Sequence, residues 1–406
     1  DRGINVKKLR TCIAAGISLY LSFAPVAMAD ETFDNENDVF LITSENPFDP
    51  KFANAGANLR TGVGSIFIDF DVAEPGGFIC SMSVIDDQHI LTAAHCLRNG
   101  DQTIDRLVVV LPSGVFYIYD SAVDGVDLEF AVNPLYDDLS PFFGAFAPGD
   151  IAVIKLSEAL PPDVERYELY RTADEFGQVT RHYGHGVGGT GDTGGSINPD
   201  FFFARTGLNT YDATLAPFFG DPLFDSLLYD FDNHRYKNNA TAWWFGRFVC
   251  NPENAARPRC ATQMNPFISD HKDYNGLEIG LAGGDSGGPG FIDGKVAGVH
   301  SFGFTHFCGV DANIPDFTCG LDSSWGEMSG DTRVSSYADW VDAVVAGAVS
   351  TTPVPEPEPA AAAGSSGLTA DFELSDQMQR FYDAAIFRSM RRSATFEEFK
   401  AEYDMH

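Results

Sequence analysis

Basic residues are scarce. The 406-residue chain holds 26 Lys and Arg against 58 Asp and Glu, a formal charge of −32. Nucleic acid and anionic membrane surfaces are polyanions, so neither is expected as a partner. Apolar runs of membrane-crossing length are missing as well. The stretch from Ile13 to Val26 is mostly apolar, but it is short, holds Pro25 and leads straight into an acidic segment. Cysteine is limited to seven residues, one of which, Cys12, precedes that stretch, where a lipid anchor would not place it.

What the N-terminus does contain is an export pattern. Lys7, Lys8 and Arg10 precede the apolar stretch, and Ala27-Met28-Ala29 offers a small-residue cleavage site before Asp30. Residues 1–29 therefore read as a signal peptide, with Val6 a candidate start, and a secreted or periplasmic location follows. Asp1, Arg2, Lys7, Lys8 and Arg10 leave with it, so 58 acidic and 26 basic side chains become 57 and 22, a formal charge of −35. That charge serves solubility. Six cysteines remain, an even number suited to disulfides in an oxidising compartment.

Residues 30–60 are rich in Asp, Glu, Asn and Pro without sustained periodicity, and read as a flexible leader or pro-segment. From Gly62 onward, short β-branched and aromatic runs alternate with Gly, Pro and Asp, as at 64–70, 106–111, 114–119 and 295–300. Such a pattern predicts an all-β sandwich or barrel. Near the end, Trp340, Val341, Val344 and Val345 give a helical apolar face. Pro353 to Pro359 alternates Pro with Glu and Val, opening an extended linker over 351–370. Residues 371–406 then read as two helices, with Ser375 as one cap and Thr395 with Glu398 as a capping box. This tail is either a hairpin docked on the preceding domain or a segment that engages a partner.

Three segments carry chemistry. In chain order they are Leu91-Thr92-Ala93-Ala94-His95-Cys96, Gly149-Asp150-Ile151-Ala152-Val153-Ile154-Lys155-Leu156 and Gly284-Asp285-Ser286-Gly287-Gly288-Pro289. They supply a histidine, an aspartate and a serine, the groups needed to activate a hydroxyl, accept its proton and orient the base. The glycines around Ser286 permit a tight turn and close approach. Each segment resembles the corresponding signature of the chymotrypsin-like (trypsin-family) serine proteases of the bacterial secreted type. The order His, Asp, Ser matches that family too.

The resemblance spans about residues 60–346. It implies two six-stranded antiparallel β-barrels with the active site between them, about 61–175 and 176–334, then a C-terminal helix ending the domain near residue 350. Asp150 and Ser286 lie unusually far apart, implying insertions at about 186–275. His95 would be the general base, Asp150 its orienting partner and Ser286 the nucleophile, with the backbone N–H groups of Gly284 and Ser286 as oxyanion hole. Ser301-Phe302-Gly303 would bind a polypeptide substrate as an added strand. Cys80–Cys96 matches the family disulfide, and proximity alone favours Cys250–Cys260 and Cys308–Cys319 among the 15 pairings six cysteines allow. Ala282 departs from a cysteine common in relatives.

Gly280 falls at the floor of the substrate pocket, where preference for basic residues needs a carboxylate. His300 falls where the glutamate-specific branch carries a histidine. The resemblance thus implies an endopeptidase of non-basic, acidic-leaning preference that uses no cofactor. A non-catalytic protein of the same fold, acting through its cleft or tail, is the alternative. Relatives matured by cleavage pair a new amino terminus with the aspartate beside the serine. Only the ill-fitting Arg60-Thr61-Gly62-Val63-Gly64 precedes Cys80, so either the leader is cut or Asp285 has another partner.

Three further patterns are weaker. His182 and His185, near Asp192, read as part of a glycine-rich loop, and no metal is expected there. Asp230, Asp232 and Asn233 have oxygen-ligand spacing suited to calcium, without a full loop pattern. Asn239-Ala240-Thr241 is a glycosylation sequon in a host that glycosylates.

Overall fold

A computed structural model describes residues 41–351, apart from 71–76, 99–101, 122–127, 137–147, 198–202, 220–221, 233–239, 242–273, 275, 306–316 and 319–320. Cys250, Cys260, Cys308, Cys319, Asn233, Asn239 and the 371–406 tail lie outside the described residues, as does the 1–29 segment.

The described chain is mostly β. It opens with β1 (Ile42–Thr43), then β2 (Val63–Asp69), β3 (Phe78–Val84), β4 (His89–Thr92), β5 (Arg106–Leu111), β6 (Gly114–Asp120), β7 (Glu129–Val132) and β8 (Ala152–Lys155). The last seven form one antiparallel sheet in the order β6-β5-β2-β3-β4-β8-β7. β6 and β7 follow each other along the chain yet pair with opposite edges, β5 and β8. The sheet therefore curls, with these two consecutive segments at its opposite edges. Its β-branched and leucine-rich strands turn Ile66, Ile68, Met82, Ile90, Leu107 and Val153 inward, all fully buried.

The second half contains β9 (Val179–Gly184), β10 (Gly188–Thr190), β11 (Gly194–Ile197), β12 (Arg205–Thr210), β13 (Ala213–Thr214), β14 (Leu227–Phe231), β15 (Ile279–Gly280), β16 (Pro289–Ile292), β17 (Lys295–Phe304) and β18 (Glu327–Arg333). Its main sheet runs β12-β9-β16-β17-β18-β14-β13. Only Tyr211 and Asp212 separate β12 from β13, which sit at opposite edges, so this sheet curls in the same way. The expected pair of antiparallel barrels is what the chain forms. A smaller sheet, β11-β10-β1-β15, lies beside the second barrel.

The helix Val334–Val345 follows β18 directly. Val334, Tyr337, Ala338, Val341 and Val344 are buried at helical spacing and join the core of the first barrel, while Val345 remains 36% exposed. The C-terminal helix thus leaves one barrel and closes the other. Among the described residues no helix is long and apolar enough to cross a membrane.

Cys80 on β3 and Cys96 just beyond β4 are joined by a disulfide across 16 positions. Closing a loop of that size restricts the unfolded chain by about 3 kcal/mol. Replacing both cysteines by alanine should lower the unfolding free energy by about that amount in urea titration. An unchanged midpoint would show that the loop closure contributes nothing.

Candidate active site

Asp150 precedes β8 and is 2% exposed. His95 sits in a short 3₁₀ turn, Ala94–Cys96, immediately after β4, the neighbour of β8 in the sheet. This adjacency brings the two together. His95 donates its backbone N–H to Asp150 Oδ1 at 2.9 Å, and its Nδ1 lies 2.7 Å from Asp150 Oδ2. Ser301 Oγ donates to the same Oδ2, and Thr332 Oγ1 donates to the Asp150 carbonyl at 2.8 Å. Burial works against the imidazolium of His95. The charge and hydrogen bond of Asp150 outweigh it, so the pKa lies above its ordinary 6.5.

Ser286 sits in the turn that leads into β16. Its carbonyl accepts from Ser81 N–H at 2.7 Å and lies 3.8 Å from Cys96 Sγ, which fixes the turn against the segment carrying His95. Gly284 and Gly287 have φ of +98° and +83°. A side chain at Gly287 would strike Thr92 Oγ1 at 2.1 Å, and one at Gly284 would meet Gly186 Cα at 2.8 Å, so only glycine makes this turn. The N–H groups of Gly284 and Ser286 donate to no described residue, and neither does the Ser286 hydroxyl. They are donors without an acceptor among the described residues.

Asp285 is fully buried. Its carboxylate accepts from Gly186 N–H and Ala282 N–H, each at 2.8 Å. Burial pushes its pKa up to about 7, and those two donors restrain the rise. The partner that the sequence leaves open is therefore the backbone.

Residues 301–303 lie on β17 and pair with β18 on one side. Pairing with β16 stops at Val299, so their other edge carries no strand among the described residues. Gly280 lies over the ring of Phe231, 3.1 Å from where a Cβ would stand, and brings no carboxylate to the pocket floor.

His300 is completely buried. Its Nδ1 is 2.9 Å from Asp331 Oδ1, while its Nε2 has no partner. Tyr211 and Tyr229 also donate to Asp331, at 2.5 and 3.1 Å. Burial alone would raise the Asp331 pKa, but the charge and hydrogen bond of His300 hold it below the ordinary value. His182 stacks on His300, ring centroids 5.1 Å apart, and burial drives its pKa down to about 3. Asp331, Tyr211 and Tyr229 were invisible to motif reading, because three separate strand segments supply them. An aspartate facing a histidine across β17 and β18 is the only trace, and it requires knowing the register.

His182, His300 and Asp331 offer ligand atoms within 4.8 Å of one another. Three hydrogen-bond donors already serve Asp331, so no metal is needed there to satisfy the carboxylate. His185 is buried separately, and Asp192 accepts from Trp325 Nε1 at 3.2 Å. Asp230 and Asp232 are buried near Asp212 and Glu278. Burial and neighbouring carboxylates push the pKa values of Asp212 and Glu278 well above the ordinary range.

Several known proteins are similar. Neuropsin, a serine protease expressed in the limbic system of mouse brain, is 16% identical, with 73% of this chain and 99% of that one covered at a TM-score of 0.40. A mutant of human heparin-binding protein is 15% identical, with 75% and 97% covered at a TM-score of 0.41. No curated protein matches the chain. The trypsin family model matches residues 64–200, from β2 through the opening of the second barrel. The two curled barrels are those of the chymotrypsin-like fold, and over residues 64–200 the chain is similar to the trypsin family.

Proposed function

We propose that this protein is an exported serine endopeptidase using His95, Asp150 and Ser286. The observation that carries the reading is the Asp150 carboxylate, sealed from water and held by His95 N–H, His95 Nδ1 and Ser301 Oγ. That arrangement leaves His95 Nε2 as the free basic nitrogen and steadies the imidazolium once it forms.

Ser286 Oγ would attack the scissile carbonyl while His95 Nε2 takes its proton. The oxyanion would settle on the N–H groups of Gly284 and Ser286. Collapse would break the C–N bond, with His95 returning the proton to the departing amine. Water, deprotonated by the same nitrogen, would then release the acyl group and restore Ser286. The free edge of Ser301-Phe302-Gly303 would hold the substrate as an antiparallel strand. The Cys80–Cys96 disulfide and the export pattern of residues 1–29 support action outside the cytoplasm.

The pocket favours an acidic residue before the cut bond. Gly280 provides no negative charge for Arg or Lys, and His300, oriented by Asp331 through Nδ1, leaves its Nε2 without a partner. A substrate carboxylate reaching Nε2 would form a charge-assisted bond of about 1.5–3 kcal/mol.

Ser286→Ala should abolish peptide hydrolysis without altering the unfolding midpoint. Undiminished activity in that variant would dismiss the mechanism, whereas no hydrolysis by the unmodified chain would favour a non-catalytic binding protein.

The rate should fall on acidification as His95 takes up a proton. Because its folded-state pKa is raised, that loss should centre above pH 6.5. A pH–rate profile with its acid limb centred below 6.5 would contradict the assignment.

Among otherwise identical peptides, cleavage after Glu should be faster than after Phe, Ala or Arg. Faster cleavage after Phe or Ala would retire the role of His300, and fast cleavage after Arg would show that Gly280 is not the pocket floor.

A further inference from the structure

Residues 41–60 belong to the stretch that composition marks as a leader, yet they are built into the second barrel. β1 lies between β10 and β15, parallel to the first and antiparallel to the second. Ile42 faces Gly189 and Gly280, and Thr43 faces Thr190 and Ile279. β15 has β1 as its one ladder partner among the described residues, and β15 carries Gly280. Ser44 N–H donates to the Glu278 carbonyl at 3.0 Å, and Gly191 N–H to the Thr43 carbonyl at 3.2 Å.

The side chains repeat the connection. Ile42 is fully buried with Phe231, Ala282 and Trp325, and Phe231 is the ring beneath Gly280. Leu41 and Phe52, also fully buried, pack with Ile279 and Leu281. Farther along, Asn54 N–H donates to the Ala204 carbonyl at 2.9 Å, and Tyr183 Oη donates to the Asn58 carbonyl at 2.8 Å. Tyr183 leads into Gly186, one of the two donors that hold Asp285.

We propose that residues 41–60 are a permanent positioning strap for the substrate pocket, retained in the active protein, with Ile42 and Thr43 its central positioning residues. The strap does the work that a newly cut amino terminus would otherwise do. Asp285 accepts two backbone N–H bonds and forms no salt bridge among the described residues, so its turn has no use for a new cationic terminus. The 279–282 wall takes its strand pairing from β1, alongside the hydrogen bonds that Asn209, Ser329 and Asp285 make to Ile279, Leu281 and Ala282. The proposal rests on the protease reading for its link to activity, and on the strand pairing for its structural part.

The test uses the full chain. Active protein is labelled at its nucleophile with a small serine-directed acylating reagent, and the N-terminus of the labelled species is sequenced. It should begin upstream of Leu41; fully active protein beginning at or beyond Thr61 would overturn the proposal. In Ile42→Ala, KM for a peptide should rise about tenfold or more while the labelling rate stays within about threefold, and Ile42→Val should restore KM. A parallel loss of labelling would signal general unfolding, and an unchanged KM would refute the positioning role. Amide hydrogen exchange at residues 279–282 is read in the same variants. Exchange should accelerate in Ile42→Ala whether or not the protein hydrolyses peptides, and unaltered exchange would overturn the strap independently. Absence of hydrolysis and labelling in the unmodified chain, with accelerated exchange in the variant, would reject the protease reading and leave the strap standing.

Discussion

The turn from Ala282 to Gly288 depends on one buried carboxylate. Asp285 points away from the cleft and draws two backbone N–H groups onto itself, one from its own turn and one from Gly186 across the barrel. That pull leaves the N–H groups of Gly284 and Ser286 with no acceptor among the described residues. Holding a carboxylate away from water is costly, and its pKa near 7 is the sign of that cost. The surrounding glycines are a consequence. Two of them take backbone angles that other residues avoid, because a turn wrapped this tightly around Asp285 and against Ser81 leaves no space for side chains.

The two barrels are coupled through adjacent residues of β17 and β18. On β17, His300 turns into the second barrel and bonds Asp331, while Ser301 turns to the cleft and bonds Asp150. On β18, Asp331 faces the interior, and Thr332 reaches the Asp150 carbonyl. Alternation of side chains along a strand makes this inevitable. A register shift between His300 and Phe302 re-aims the strand where it leaves the core for the cleft. Asp150 of the first barrel is thus partly held by the second.

What could be read from the sequence was what is local. The segments around His95, Asp150 and Ser286 are each a few residues long, and their neighbours state their purpose: small residues for packing, an apolar strand start, glycines for a turn. The short β runs were equally plain, and β5 coincides with the run read at 106–111. The edge segments of both barrels were not, because segments consecutive in the chain are divided between two edges of a sheet. Asp331 and Tyr229 meet only through the pairing of β14 with β18, and Tyr211 reaches them from the bend between β12 and β13. Residues 41–60 concealed their role for another reason. Leu41, Ile42 and Phe52 supply the fully buried contacts, scattered among polar residues without a period, so composition resembled that of a solvated leader. In the helix Val334–Val345, Tyr337 and Ala338 complete the buried face, and Val345 falls at its margin.

A strongly acidic chain must still bury carboxylates, and this one does so in several ways, among them the ion pair of fully buried Glu175 with Arg333. Asp212 and Glu278 crowd other acids, and burial with that crowding raises their pKa values well above the ordinary range. Asp285 uses backbone donors alone. Asp150 and Asp331 each hold an imidazole through Nδ1, at 2.7 and 2.9 Å, and so form near-equivalent pairs in the two barrels. Charge pairing alone cannot distinguish the two. Access can: the His95 side chain is 26% exposed, whereas that of His300 is wholly enclosed. A base that must take a proton from one group and give it to another needs an open nitrogen at the cleft. Of the two imidazoles, that of His95 alone meets this need, which is why the proposed mechanism places proton transfer there.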